Sequence, residues 1–119
     1  MKIELVELQG KSIAEVFSKE IIIKNVEDAL DLIGNCDYQG ARNIIISKKN
    51  ICPEFFDLST GIAGEILQKF STYRVKLAIV GDFSLHSSKS LKDFIYESNK
   101  IGRILFVRTT EEAKLKIGK

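Results

Sequence analysis

The chain has 119 residues, of which 45% are hydrophobic and 29% charged, and its 18 basic and 16 acidic residues give a net charge of +2. This balance is typical of a globular protein, and we expect one domain because no Pro-, Gly- or Ser-rich linker divides the sequence. Charges of both signs are spread along the chain, without the basic stripe and interleaved aromatic residues that indicate nucleic-acid binding. The longest apolar runs, such as Leu77–Val80, are far shorter than the ~20 residues of a membrane span.

The N-terminus and the cysteines predict a cytoplasmic protein. Lys2 and Glu4 interrupt the first apolar residues, so the sequence does not begin like a secretory signal peptide. Cys36 and Cys52 form neither a C-x-x-C motif nor a disulfide framework, and we interpret them as reduced, half-buried thiols. We expect no cofactor and no metal site.

The N-terminal half is predicted to begin with a β-hairpin. Strands at Lys2–Leu8 and Ser12–Phe17 flank a turn at Gly10, and Lys19–Ile23 forms an irregular connection. A first helix follows, with Asn25 as its N-cap and apolar residues at helical spacing up to Gly34-Asn35, which we expect to end it.

The central part is predicted to contain two strands and one helix. Asn43–Ser47 is a short apolar strand, and Pro53 prevents it from continuing. The second helix lies within Phe55–Phe70, and Arg74–Asp82 is the strand after it.

The C-terminal part is predicted to add a helix, a strand and a short helix. Ser90–Asn99 is the third helix, and Ser90 and Asp93 resemble a capping box. Arg103–Val107 is the last strand, and Thr109 caps a short terminal helix. The order β-β-α-β-α-β-α-β-α predicts an α/β fold with an N-terminal hairpin, β-α repeats, a mostly parallel sheet of four to five strands and about four helices.

The stretch FFDLSTGIAGEILQKF, Phe55–Phe70, has an unusual outer face. On a helical wheel its apolar residues share one half, whereas Gly61, Gly64 and Gln68 lie on the other. A glycine inside a helix costs about 1 kcal/mol relative to alanine, and close approach by a partner is a common reason to keep one. Gly64 and Gln68 therefore form a candidate partner face.

The triplet Ser59-Thr60-Gly61 lies at the predicted start of this helix. Ser59 could accept a hydrogen bond from the amide of Ile62, with Asp57 as the alternative cap. The amide-rich, positive end of a helix also favours an anion. The triplet is therefore either a plain cap or a candidate phospho-acceptor and anion-binding site.

Other polar residues follow the predicted strands. Because ligand crevices form at the carboxyl ends of parallel strands, we expect Asp57, Asp82 and Ser84 to line one rim with the triplet. Ser59, Asp82 and His86 occur in the order of a hydrolase triad, but no G-x-S-x-G motif surrounds Ser59, and we interpret His86 as a surface loop residue. The polar loop Ser87–Ser90 could also hold an anion.

Three stretches, FFDLSTGIAGEILQKF, YRVKLAIVGDFS and SKSLKDFIYESN, resemble a bacterial family known as domain of unknown function 4180 over nearly the whole chain. A more distant resemblance is to STAS domains, the fold of anti-sigma-factor antagonists. Their phosphorylatable serine lies in an Asp-Ser-x-Gly-Leu motif where the second helix begins. Ser59-Thr60-Gly61-Ile62 matches the last four positions in type, whereas Asp57 stands two residues before Ser59 rather than next to it. The resemblance implies Ser59 as the phospho-acceptor, with Thr60 as its rival.

The sequence thus predicts a non-enzymatic regulatory module that binds a protein partner through the start of the second helix. The alternative is a small anion- or nucleotide-binding protein that uses the same rim, and a hydrolase is a distant third.

Overall fold

The computed structural model describes residues 1–86 and 88–118, which form a five-stranded sheet. Its strands are β1 (Lys2–Leu8), β2 (Lys11–Phe17), β3 (Asn43–Ser47), β4 (Lys76–Val80) and β5 (Ile104–Val107). They lie in the order β1-β2-β3-β4-β5, with β1 antiparallel to β2 and all other pairs parallel. The predicted α/β fold with a hairpin and β-α repeats is confirmed. Ser87, in the predicted anion-binding loop, lies outside the described residues.

Four helices connect or follow the parallel strands: α1 (Val26–Tyr38), α2 (Ile62–Thr72), α3 (Lys89–Ile101) and α4 (Thr110–Ile117). Between β3 and α2 the chain makes three short 3-10 turns, at Lys48–Asn50, Pro53–Phe56 and Leu58–Thr60. Within the described ranges, no helix is long and apolar enough to cross a membrane.

The sheet is covered on both faces. Each parallel strand lies next to the strand that follows it in the chain. Right-handed crossovers between such neighbours place α1, α2 and α3 on the same face of the sheet. Ile44 and Ile46 point into the large core on that face, whereas Ile45 points into a smaller core with Ala113 and Ile117 of α4. The connections into α2 and α3 therefore start from the same edge of the sheet, at the carboxyl ends of β3 and β4.

The first helix is longer than predicted. It continues through Gly34, because Leu32, Ile33 and Cys36 keep the helical spacing of buried residues beyond that glycine. Cys36 and Cys52 are fully buried rather than half-buried, with exposures of 0% and 5%. Burial raises the pKa of the Cys36 thiol to about 11, so this thiol is protonated and unreactive at neutral pH.

The predicted capping box of the third helix is wrong. Ser88 is the N-cap, and its hydroxyl accepts a hydrogen bond from the amide of Leu91 at 3.2 Å. The helix therefore begins at Lys89, ahead of Ser90, because the buried Leu91 lies three residues after the cap. Asp93 pairs instead with the Lys89 ammonium at 3.0 Å, one helical turn away.

Candidate functional site

The second helix begins later than the sequence predicts. Its first residue is Ile62, and the 3-10 turn Leu58–Thr60 precedes it. Gly61 joins the two with φ +77° and ψ −4°, the left-handed conformation that residues with a Cβ rarely adopt. The backbone thus requires a glycine at position 61. The prediction that Gly61 lies on the outer face of the helix is wrong.

Thr60, not Ser59, provides the hydroxyl at the helix start. Thr60 Oγ1 accepts a hydrogen bond from the amide of Ile62 at 3.3 Å. It lies 2.9 Å and 2.8 Å from the carbonyl oxygens of Glu54 and Asp57, which share its single proton. Ser59 is a 3-10 residue before the left-handed Gly61, so its hydroxyl turns back along the chain and does not reach Ile62. The prediction of Ser59 as the cap is wrong.

Ser59 is bonded instead to the acid two residues before it. Asp57 Oδ1 accepts hydrogen bonds from the Ser59 hydroxyl at 2.6 Å and from the Ser59 amide at 3.1 Å. These bonds hold the pKa of the Asp57 carboxyl below its ordinary value. Both residues are exposed, so this hydrogen-bonded pair lies at the surface.

The same arrangement recurs after β4. Asp82 Oδ1 accepts hydrogen bonds from the Ser84 hydroxyl at 2.6 Å and the Ser84 amide at 2.9 Å, which lower the pKa of the Asp82 carboxyl. Short local sequences of an acid and a serine form such turns unaided. Across residues 1–86 and 88–118, no hydrogen bond or ion pair links the Asp57–Ser59 turn to the Asp82–Ser84 turn. The predicted rim therefore consists of two separate turns at one edge of the sheet.

The candidate partner face on α2 is open. Gly64 and Gln68 are exposed, and no heavy atom outside the local helix lies within 4 Å of the position that a Cβ on Gly64 would occupy. Packing within the described chain therefore does not require this glycine. Gly34 on α1 has the same exposure and the same open space, which makes it a matched control.

Sequence reasoning missed Lys48, which directly follows β3. Its ammonium donates a hydrogen bond to the carbonyl oxygen of Asp82 at 2.9 Å and lies 5.6 Å and 5.4 Å from the ring centroids of Phe56 and Phe83. A Cβ on Gly81 would lie only 2.6 Å from the Cβ of Lys48, so the glycine makes room for this side chain. The sequence did contain a signal for this site. Lys48 and Gly81 directly follow two buried strands, and ligand crevices form at the carboxyl ends of such strands.

His86 lies in a loop, as the sequence predicts, but it is less exposed than a surface residue. It is half-buried, and its ring stacks on Phe56 at 5.4 Å with an interplanar angle of 23°. Its Nε2 is buried and has no hydrogen-bond partner among the described residues. The hydroxyl of Ser59 is bonded to Asp57 and the carboxylate of Asp82 to Ser84, so these residues and His86 do not form a hydrogen-bonded triad.

A cavity of about 580 Å³ opens beside Lys48 and His86. Lys48, Lys49, Asp82 and His86 contribute its ionisable groups. Most of the remaining wall is apolar and comes from Ile21, Ile51, Pro53, Phe56, Val80 and Leu85. A concave, mostly apolar site with a few polar groups is the usual form of a small-molecule pocket.

Acid should destabilise the protein partly through His86. Burial lowers the pKa of the imidazole in the folded state, and the positive charge of Lys48 lowers it further. In the unfolded state the pKa returns to ~6.5, so below that pH the unfolded chain binds more protons than the folded chain. We expect the free energy of unfolding to fall as the pH decreases through this range, and His86→Gln to show a flatter profile between pH 7 and 5. Urea unfolding at several pH values measures this. Parallel profiles for the two proteins would show that His86 titrates alike in both states.

The chain matches the model of a protein family. The family model described as a domain of unknown function, DUF4180, matches residues 8–117, and the chain belongs to this family. No curated protein and no solved structure matches the chain.

Proposed function

We propose that this member of the DUF4180 family is a non-enzymatic regulatory module that binds a protein partner through the start of α2. The surface in question, here called the α2 face, consists of Ser59, Thr60, Gly61, Gly64 and Gln68. All five residues are exposed. The observation that carries the proposal is the open space around Gly64 directly after the exposed Ser59-Thr60-Gly61 triplet; Gly34 has the same open space without such a triplet beside it.

Phosphorylation of Ser59 is the proposed control. A phosphate would remove the proton that Ser59 now donates to Asp57 at 2.6 Å and would place a charge of about −1.5 to −2 beside that carboxylate. The repulsion would open the turn between Asp57 and Gly61, whereas the amides at the start of α2 would attract the new anion. The two effects together would change the shape and charge of the α2 face while the buried core stays as it is.

The element order and the position of Ser59 support a STAS-like fold and a STAS-like mode of control. Ser59 lies three residues before Ile62, the first residue of the second helix, and STAS domains carry their phosphorylatable serine where that helix begins. The acid is displaced by one position in the sequence, yet Asp57 is hydrogen-bonded to the Ser59 hydroxyl. We further propose that the protein acts in the cytoplasm, where the free thiols of Cys36 and Cys52 stay reduced.

Substitutions at Gly64 test the partner site. Gly64→Ala should keep or raise the free energy of unfolding, by up to about 1 kcal/mol, because a Cβ meets nothing there. Gly64→Arg should leave the fold intact but block capture of the partner from a lysate of the native host. Gly34→Arg makes the same change on α1 and should not affect capture.

The decisive observation is a protein, identified by mass spectrometry, that is enriched by the wild type and by Gly34→Arg but lost with Gly64→Arg. If the two arginine variants capture the same proteins in the same amounts, the α2 face is not the partner site. If Gly64→Ala unfolds the domain, the glycine is needed for the fold and the proposal loses its main support.

Substitutions at Ser59 and Thr60 test the control. Ser59→Asp and Thr60→Glu should give folded proteins with weakened partner capture, because each places a negative charge on the α2 face. Thr60→Ala should bind the partner nearly normally but lose on the order of 1 kcal/mol of stability, since Thr60 supplies the hydroxyl for Ile62. Thermal melts and quantitative pull-downs measure both effects. Normal capture by both acidic variants would show that the triplet is only a turn and cap.

A further inference from the structure

We propose that the cavity beside Lys48 binds a small organic monoanion, a carboxylate carried on a flat apolar body. This site uses residues that are absent from the α2 face, so it stands or falls independently of the partner proposal. Its volume of about 580 Å³ lies within the usual range of small-molecule pockets, about 300–1,000 Å³.

Lys48 is the group that would pair with the carboxylate. An ammonium has three N–H donors, and the bond to the Asp82 carbonyl uses one of them. Within the described chain no carboxylate forms an ion pair with Lys48. The side chain is also held in place, because its stem fits against Gly81 and its ammonium lies over the rings of Phe56 and Phe83. The structure thus holds a positioned cation, without a carboxylate partner among the described residues, at an apolar cavity.

The wall of the cavity favours a flat ligand. The ring of His86 stacks on Phe56, and Ile21 and Leu85 at the rim are 39% and 83% exposed. Exposed apolar side chains beside a cavity gain from contact with an apolar ligand. His86, which lines the cavity, also contributes a buried Nε2 that lacks a hydrogen-bond partner among the described residues, and a ligand oxygen would supply one.

The other charges at the cavity favour a monoanion. Lys49 adds a second positive charge to the lining, and the carboxylate of Asp82 adds a negative one. Because Asp82 stays ionised through its bonds to Ser84, two lysines and one carboxylate give these groups a net charge of +1, which a single ligand carboxylate would neutralise.

Calorimetric titration of the full chain tests the proposal with matched probes. 4-Phenylbutyrate should bind, and 4-phenylbutanamide, which has the same body without the charge, should bind at least tenfold more weakly. Acetate has the charge without the body, and inorganic phosphate, which is a mixture of monovalent and divalent forms near neutral pH, also lacks the body, so neither should bind at millimolar concentration.

Three variants identify the residues responsible. Lys48→Met should weaken 4-phenylbutyrate binding by roughly tenfold or more, as expected for a hydrogen bond to a charged group. Lys100→Met is the control, because Lys100 also lies over an aromatic ring, 5.3 Å from Tyr96, but does not line the cavity. His86→Phe keeps an aromatic wall and removes the nitrogen, so binding should weaken by roughly threefold to tenfold.

A thermal melt of each variant separates a lost site from a lost fold. If Lys48→Met is unfolded, Leu85→Glu replaces it, since Leu85 is highly exposed. A negative charge at the rim should weaken the binding of 4-phenylbutyrate far more than the binding of 4-phenylbutanamide. The proposal is overturned if the carboxylate and the amide bind equally, if folded Lys48→Met keeps the wild-type affinity, or if 4-phenylbutyrate does not bind at millimolar concentration.

Discussion

Replacing Phe106 with alanine should lower the free energy of unfolding by about 3–5 kcal/mol. Phe106 lies on β5 and is 5% exposed, at the centre of an aromatic cluster. Its ring centroid lies 6.4 Å from Phe55, 5.2 Å from Phe83 and 6.1 Å from Phe94. The cavity left by the ring would border three different elements, so no single side chain could move to fill it.

The same cluster supports both candidate sites. Phe55 belongs to the 3-10 turn that leads to the α2 face, and Phe83 lies between Asp82 and Ser84 beside the ammonium of Lys48. We therefore expect Phe106→Ala to weaken partner capture and 4-phenylbutyrate binding together with stability.

Chemical unfolding followed by circular dichroism measures the effect. Phe17→Ala is the control: Phe17 is 43% exposed at the end of β2, and its removal should change stability by less than about 1 kcal/mol. Phe106→Leu should fall between the two variants. A loss below about 1 kcal/mol for Phe106→Ala would show that the aromatic cluster repacks freely.

The strands and the order of elements along the chain could be predicted because each strand has its own apolar pattern. The β3 run Asn43–Ser47 keeps its predicted bounds, and β4 differs only in losing residues at both ends of Arg74–Asp82. Buried runs bounded by polar residues specify a parallel strand directly. Strands that are consecutive in the chain usually lie next to each other and are joined by right-handed crossovers, so few arrangements of the sheet remain possible.

The helix starts could not be predicted as well, because several residues near each start are able to cap. Asp57, Ser59 and Thr60 all carry a suitable oxygen, as do Ser88 and Ser90. At α2, the left-handed conformation of Gly61 decides which of these oxygens reaches the helix start. A helical wheel cannot show this, because it assumes that Gly61 is already part of the helix.

The sequence led us to expect a crevice at the strand ends with Asp82 on its rim, but it did not assign Lys48 and His86 to this crevice, because the ionisable groups of the cavity come from separate parts of the chain. Lys48 follows β3, whereas Gly81 and His86 follow β4, and only the parallel pairing of these strands brings them together. The sequence showed an isolated histidine and an ordinary lysine. The contacts of Lys48 with Asp82, Phe56 and Phe83 depend on side-chain packing, which periodicity does not describe.

Asn50→Asp should be the other strongly destabilising change, with a loss of about 2–5 kcal/mol near neutral pH. Asn50 is only 1% exposed, and its side-chain amide donates hydrogen bonds to the carbonyl oxygens of Ser18 and Glu20 at 2.9 Å and 2.8 Å. Its backbone carbonyl oxygen accepts from the amides of Ile22 and Ile23. This one residue therefore fixes the connection between β2 and α1 against the turn that follows β3. A carboxylate would remove both side-chain donors and face two carbonyl oxygens with a negative charge.

The pH dependence of Asn50→Asp distinguishes electrostatic repulsion from loss of shape. The buried new carboxyl should have a pKa above the ~3.9 of the unfolded chain, so the folded state would keep its proton to higher pH. The deficit relative to the wild type should therefore be smallest near pH 4 and grow as the pH rises to 7.

Asn99→Asp is the matched control for this change. Asn99 is exposed, and its Oδ1 accepts from the amide of Phe106 at 2.7 Å, a bond that a carboxylate keeps. Only the longer bond to the Phe106 carbonyl oxygen, at 3.3 Å, is lost, so we expect a cost below about 1 kcal/mol.

Equal losses for the two variants would show that the two buried donors of Asn50 have no special role. A large loss that does not change between pH 4 and 7 would assign the effect of Asn50→Asp to the missing hydrogen bonds, without repulsion. A large loss that grows with pH would show that Asn50 must be uncharged to hold the segment that carries Ile21 to the rim of the cavity.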